Sequence, residues 1–453
     1  MADTLPPDEN RNAGENRSSR SGKVADFRYK RSFQQDRPGA RGKRSPNGKR
    51  GRKGAGERRE PETRLNERAP QPNSPKDADQ RSASAPRASR APQQARHIPR
   101  GGEAYAALDL GTNNCRLLIA RPSGKDFTVI DAFSRVVKLG EDLATTGRLS
   151  DEAMDRALGA LSICAEKLRR RNVRLARSVA TEACRRAENG PAFIERVRRE
   201  TGIALDIISA EEEARLAVLG CHILLEEGDG PAVIFDIGGG STELVLLESG
   251  AAKGGTIPRI LDWQSVPWGV VSLTDTVTST GREGDDTKSA RLERYGRMRR
   301  VVSESFEPFA KRIAKASRSQ DIRLLGTSGT VTTLASLHLE LPHYDRKAVD
   351  GLIVPSQSMR AISSNLSSMS PAQRSELPCI GQDRASLVVA GCAILESILD
   401  LWPAHRLGVA DRGIREGILR SLMAAERQSE QALKSLEETR ANPKRPRGRT
   451  ARG

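Results

Sequence analysis

The sequence is poor in the residues that most often announce a metal centre, a covalent framework or a base-stacking surface. Phe, Trp and Tyr make up 3% of its 453 residues, and only five are histidine. So few histidines argue against a His-based metal site. The six cysteines, at 115, 164, 184, 221, 379 and 392, form no Cys-x-x-Cys pair, which removes the usual zinc and disulfide frameworks. Residues 1–20 lack the apolar core of a secretory leader. No window reaches the roughly 18 consecutive apolar residues of a membrane span. A soluble cytoplasmic protein with no membrane contact is the expectation.

Charge is unevenly placed. Residues 1–100 hold 25 Lys+Arg against 12 Asp+Glu, residues 421–453 hold 8 against 4, and residues 101–420 hold 42 of each sign. The formal +17 therefore belongs to the ends of the chain. Residues 1–102 are Arg, Gly, Ser, Pro, Asn and Gln with almost no apolar run. They cannot bury enough surface to offset ordering entropy, and a disordered basic tail is expected. Blocks such as 41–53 would attract polyanions through counterion release. A merely solubilising tail explains them equally well. Phe27, Tyr29 and Phe33 are too few for a stacking platform. Residues 425–453 read as a second basic tail.

The middle of the chain alternates apolar strands with amphipathic helices, the pattern of an α/β fold. Ser150 is placed to cap a helix whose first turn holds Asp151 and Glu152. Ser209 and Glu212 have the spacing of a capping box. Two segments in this middle are copies of one pattern. Residues 107–115, ALDLGTNNC, match residues 234–242, IFDIGGGST, at an offset of 127 residues, roughly one domain length. Each is an apolar strand ending in Asp, a turn of small residues, and a second apolar strand. One such glycine-rich hairpin is ordinary; two at this offset are not.

A tight turn free of bulky side chains lets backbone N–H groups approach an anion and cradle phosphate. The expected phosphate contacts are Gly111, Thr112 and Asn113 in the first copy and Gly238, Gly239, Gly240, Ser241 and Thr242 in the second. Asp109 and Asp236, at the strand ends, are placed to hold Mg²⁺ or Mn²⁺ directly or through water. Glu243 lies in an apolar strand, where a metal or water contact explains a charge better than chance. Gly111 and Gly238 are equivalent, so a Cβ should be least tolerated there. Gly239 and Gly240 align with Thr112 and Asn113, which predicts tolerance of side chains at both. A third glycine turn, Gly326, Thr327, Ser328, Gly329 and Thr330, reads by itself as a capped helix entry.

The repeat resembles the phosphate motifs of the actin, chaperone and sugar-kinase superfamily. That resemblance implies that the third glycine turn lines the rest of the ligand. Its second copy, DIGGGSTEL at 236–244, is similar to the signature of the exopolyphosphatase and guanosine pentaphosphate phosphohydrolase (Ppx/GppA) family. Three further segments resemble that family: ISAEEEARL at 208–216, ATEACR at 180–185 and DRGIREG at 411–417. The resemblance covers about residues 104–424. It implies that Glu213 is the general base, although three adjacent glutamates in a first turn have a sufficient explanation in the helix dipole. It also implies that Arg185 binds phosphate. Arg116 stands where the family has an aromatic or small residue and receives no role. No counterpart of the larger members' HD-type helical domain is seen, so the chain resembles the short form.

The implied architecture is two ribonuclease-H-like, actin-like lobes, 103–228 and 229–424, with a cleft between them. The implied activity is release of phosphate from inorganic polyphosphate or from guanosine pentaphosphate. Two other readings stay open: a superfamily kinase or ATPase, and an inactive binder of polyphosphate or an alarmone. A homodimer is also open.

Overall fold

The computed structural model describes residues 25–26, 103–124, 126–248, 257–279, 286–317 and 322–441. The expected N-terminal tail lies outside these residues except for 25–26, and so does 442–453 of the expected C-terminal one. Two six-stranded sheets organise the described chain, and both belong to one compact unit.

The first sheet holds β1 (Ala25–Asp26), β2 (Ala104–Leu110), β3 (Asn114–Ser123), β4 (Asp126–Val136), β5 (Val173–Ala180) and β6 (Leu205–Ile207). The run β4-β3-β2-β5 is extended by β6, with β2, β5 and β6 mutually parallel; β1 pairs antiparallel with β5. The second sheet holds β7 (Ala232–Ile237), β8 (Thr242–Leu247), β9 (Ile260–Val266), β10 (Arg323–Thr327), β11 (Ile353–Pro355) and β12 (Arg406–Ala410). Its order is β9-β8-β7-β10-β12-β11, with β7, β10 and β12 parallel and β11 an antiparallel edge. Each half is thus a three-stranded antiparallel meander continued by two parallel strands, in the same order. The sequence repeat is a repeat of folds, and these are the two actin-like lobes.

Strand alternation sorts the cores. Ala106, Leu108 and Leu110 of β2 face the helix Asp151–Arg170, whose Met154, Leu158, Leu161 and Leu168 form its buried stripe. Tyr105 and Ala107 point the other way, with Asp109 in the same alternation, onto Leu216, Ile418 and Leu422. In the second sheet Val233, Phe235 and Ile237 face one core, while Ala232, Ile234 and then Asp236 face the other. Both strand-end aspartates therefore lie on the faces that meet the helices Ala210–Cys221 and Ile414–Ala441.

These two helices pack across the two halves of the chain. Ala214, Val218 and Cys221 pack on the second sheet, although they precede residue 228. Ile418, Leu419, Leu422 and Met423 pack on the first sheet, although they belong to the second half of the chain. The last helix also runs to Ala441, past the point where a tail was expected, and its Glu426 pairs with Arg174 of β5. The capping expectations are met in part. Ser150 Oγ accepts from Ala153 N and Ser209 Oγ from Glu212 N. The reciprocal half of the box at Ser209 is absent because the Glu212 carboxylate is drawn to Arg177 at 2.8 Å and Arg215 at 2.7 Å.

The crossing of the two helices brings backbone against backbone. An ideal Cβ on Gly220 would lie 1.9 Å from the Gly413 carbonyl oxygen, and one on Gly417 would lie 2.0 Å from that of Leu216. Ala normally improves a helix interior over Gly by about 1 kcal/mol, and the exposed Gly159, with open space around it, should follow that rule. Gly417→Ala should instead destabilise by about 1–3 kcal/mol, the cost of overpacking a close contact. Denaturant melts of Gly159→Ala and Gly417→Ala check this; a shift of the same sign in both would refute the close crossing.

Candidate active site

The parallel strands of both sheets deliver their carboxyl ends to a cavity of about 760 Å³. Open α/β sheets place ligands there because loops and helix starts diverge from those ends.

The two small-residue loops are built alike. In each, the glycine amide closes a turn at 2.9 Å, Gly111 N to Asn114 O and Gly238 N to Ser241 O. Carbonyls in each loop are bound from behind. Gly140 N donates to Thr112 O, and Val137 N and Lys138 N donate to Asn113 O. Val270 N and Val271 N, at the start of the helix Val270–Ser279, donate to Gly238 O and Gly239 O, and Ser272 Oγ donates to Gly240 O. In a trans peptide the carbonyl and the next N–H point in opposite directions. The amides of Asn113, Gly239, Gly240 and Ser241 therefore turn away from those donors, on residues that line the cavity. Among the described residues they have no acceptor. Four such amides make an anion cradle.

The loops also touch each other. A Cβ on Gly239 would meet Thr112 Cβ at 3.0 Å and Asn113 N at 3.1 Å; one on Gly240 would meet Thr112 Oγ1 at 2.6 Å and Glu182 Cγ at 2.8 Å. The expected tolerance at these two positions fails, because alignment within one loop is blind to the loop facing it. Gly238 is limited within its own turn, by Ser241 O at 2.9 Å.

Six carboxylates line the same cavity, and four of them are site residues expected from the sequence. Asp109, Glu213 and Glu243 are buried and Asp236 is half-buried. Burial is the leading cause that raises each. It lifts Asp109, against the charges of Arg116 and Arg415. It lifts Asp236 to about 6, against Arg116 and with Asp109 adding. It lifts Glu243 to about 7, with Asp236 adding and the hydroxyls of Ser241 and Ser265 opposing. Those hydroxyls donate to Glu243 Oε1 at 2.7 and 2.9 Å. Glu213 lies well above its ordinary value through burial and then the Glu243 charge, against Arg185. Its Oε2 accepts from Arg185 Nη1 at 3.0 Å; the same nitrogen donates to Ile208 O at 2.9 Å, and Nη2 donates to Glu182 Oε2 at 2.6 Å.

A family model described as the Ppx/GppA phosphatase family matches residues 118–426. The chain belongs to that family. "Exopolyphosphatase 2" of Mycobacterium tuberculosis is 30% identical over 334 residues, covering 70% of this chain and 98% of that protein. A "Putative exopolyphosphatase" of Haemophilus influenzae is 26% identical over 318 residues, covering 70% and 90%. The crystal structure of the Aquifex aeolicus Ppx/GppA family member superposes with a TM-score of 0.58 at 27% identity, covering 72% of this chain and 98% of that one. An exopolyphosphatase structure from Cytophaga hutchinsonii, at 24% identity and a TM-score of 0.61, shows the same fold.

The cavity gathers most of the sequence-predicted residues, and three need correction. Arg185 does not line it, because its guanidinium is engaged by Glu213, Glu182 and Ile208. Thr242 donates to Trp268 O at 2.6 Å and is fully buried. Gly326 faces the Phe235 ring, where a Cβ would stand 2.5 Å from Cζ, so it is a packing glycine. Ser328, Gly329 and Thr330 do line the cavity, and Ser328 Oγ also caps the helix Gly329–His338 by accepting from Thr330 N at 3.2 Å. The turn is thus a capped helix entry that also borders the cavity. Ser328 sits at φ 127°, backbone strain of the kind kept at sites.

Glu182, Arg116, Arg384 and Arg415 line the cavity without having been singled out. Arg116 was readable, since the turn pairs it with Asp109 across β2 and β3. Glu182 and Arg415 lie inside segments quoted above for their family resemblance. Arg384 arrives from a distant helix with no local signal.

The expected three-carboxylate metal set is not assembled: among the described residues no group of three or more Asp, Glu, His or Cys side chains is close enough to hold an ion. Asp236 and Glu243 are cross-strand neighbours, while Asp109 belongs to the other lobe. Asp109 Oδ1 is nonetheless buried with no partner. That suits a cation taking one or two carboxylates, with water and phosphate oxygens completing its shell.

Gly240→Ala should lower kcat/KM by about tenfold or more, by displacing Thr112 or Glu182. Its melting temperature should stay near wild type, since the clash is with the side-chain atoms of two cavity-lining residues and not with a hydrophobic core. Wild-type kcat/KM in this variant would contradict the loop contact.

Proposed function

We propose that this phosphatase is an exopolyphosphatase that hydrolyses the terminal phosphoanhydride of inorganic polyphosphate. The observation that carries the reading is the pair of loops whose turned-out amides face one cavity beside the buried Glu213. The names of the two relatives support the substrate. Phosphoryl transfer needs little covalent help, so catalysis rests on position and charge. The amides of Asn113, Gly239, Gly240 and Ser241 hold the phosphoryl oxygens. Arg116 and Arg415 add positive charge from the cavity wall. Glu213 takes the proton of the attacking water, oriented by Arg185. A divalent cation, magnesium or manganese, would be held by Asp109 and Asp236 and would neutralise phosphate charge.

Guanosine pentaphosphate is the second reading. The cavity continues past the loops over Pro342, Tyr344, Ile380, Leu387 and Val388. Apolar walls of that kind suit a nucleoside better than a bare phosphate chain. One preparation assayed for phosphate release from long polyphosphate and from guanosine pentaphosphate separates the two. A higher kcat/KM on polyphosphate is expected, and the reverse order overturns the assignment.

Glu213→Gln should lower kcat at least about a hundredfold in a folded protein, the scale of losing a general base. The base works only when deprotonated. Because burial raises Glu213, activity should be lost as pH falls through a limb above the ordinary carboxylate range. A wild-type rate in the variant, or a rate flat down to the ordinary glutamate value, would refute the role.

A further inference from the structure

Glu182 has no task in the mechanism above, and its charge is of the wrong sign for the wall of a polyanion cavity. It begins the short helix Glu182–Arg186 that leaves the end of β5. Its Oε2 accepts from Arg185 Nη2 at 2.6 Å, with both side chains largely buried. Arg185 Nη1 is held by Glu213 and by the Ile208 carbonyl. Three acceptors on two nitrogens leave the guanidinium one orientation, and Glu182 supplies the acceptor on the side away from the base. Glu182 also reaches across the cleft, since an ideal Cβ on Gly240 would stand 2.8 Å from its Cγ and 3.3 Å from its Cβ. Its methylenes therefore lie against the backbone of the second glycine loop.

We propose that Glu182 is a positioning residue for the hydrolysis: it clamps Arg185, and through Arg185 the carboxylate of Glu213, against the seated second loop. The inference rests on the phosphohydrolase reading above. An i,i+3 ion pair on an exposed helix would contribute a few tenths of a kcal/mol and no function. Here the pair is partly buried at the cavity wall, one partner carries the general base, and the other touches the opposite lobe. Glu182 thus links closure of the two loops to the aim of the base.

The proposal makes a prediction with an unusual sign. An acid in the cavity wall repels the substrate, so its removal should leave anion binding unchanged or tighter while hydrolysis slows. A phosphate ligand or a purely structural residue would lose both. The test uses the full chain as wild type, Glu182→Gln, Arg185→Met and the double variant. Phosphate release from polyphosphate of defined length gives kcat, and calorimetric titration with pyrophosphate gives Kd. Glu182→Gln should lower kcat at least about tenfold, as misplacement of a reacting group does, with pyrophosphate Kd equal to or below wild type. In the Arg185→Met background, Glu182→Gln should cost nothing further, because residues acting through one another are not additive. Independent losses in the double variant, pyrophosphate binding that weakens in step with kcat, or a wild-type kcat in Glu182→Gln would each overturn it. If Glu182→Gln does not fold, Glu182→Asp takes its place; lowered kcat with undiminished pyrophosphate binding supports the clamp, and a wild-type rate overturns it. Failure of the underlying reading is distinguishable, because Glu213→Gln would then turn over at the wild-type rate as well.

Discussion

The carbonyls of two loops are fastened from behind, and the function of the cleft depends on that fastening. Once Gly238, Gly239 and Gly240 give their oxygens to the start of the helix Val270–Ser279, peptide planarity leaves the next amides one direction to face. Thr112 and Asn113 are treated the same way by residues 137–140. Amides held like this need no reorganisation when an anion arrives, which is where preorganised sites gain over water. The glycines are required for a second reason. Thr112 and Glu182 of one lobe occupy the space that side chains on Gly239 and Gly240 would fill.

The two lobes exchange support. The helix Ala210–Cys221 carries Glu213 from the end of the first sheet but buries Ala214, Val218 and Cys221 on the second. The helix Ile414–Ala441 leaves the second sheet and packs on the first. Each lobe therefore owns a residue that works at the other's edge, and Gly220, Gly413 and Gly417 let the helices cross closely enough for this. Carboxylates that burial pushes toward neutrality surround the cradle. They are tuned by Arg116, Arg185 and Arg415 and by two serine hydroxyls. In such a site each charge's protonation depends on its neighbours, and phosphoryl transfer draws on that balance.

Much of this was legible in the chain. The duplicated Asp-plus-glycine hairpin located both meanders, the strand-end aspartates and the loops. Capping signals located the helix that carries Glu213. What remained hidden was non-local. Nothing near Gly239 says that Thr112 faces it. Nothing near Arg185 says that two glutamates and a carbonyl hold it away from the cavity. Glycine marks a lack of room, and sequence cannot say whether an anion, as expected for Gly326, or the ring of Phe235 takes the space. The crossed packing of the two helices was hidden for the same reason, since a helix's apolar stripe does not name the sheet that covers it.

The central claim is that both loops hold one polyanion together through their backbone amides. Hydrogen exchange of the Glu213→Gln protein, with and without tripolyphosphate, reads those amides directly. The account predicts that residues 111–114 and 238–241 gain protection in parallel and at the same ligand concentration. Protection confined to one loop, or to the arginine-bearing walls with both loops unchanged, would contradict it.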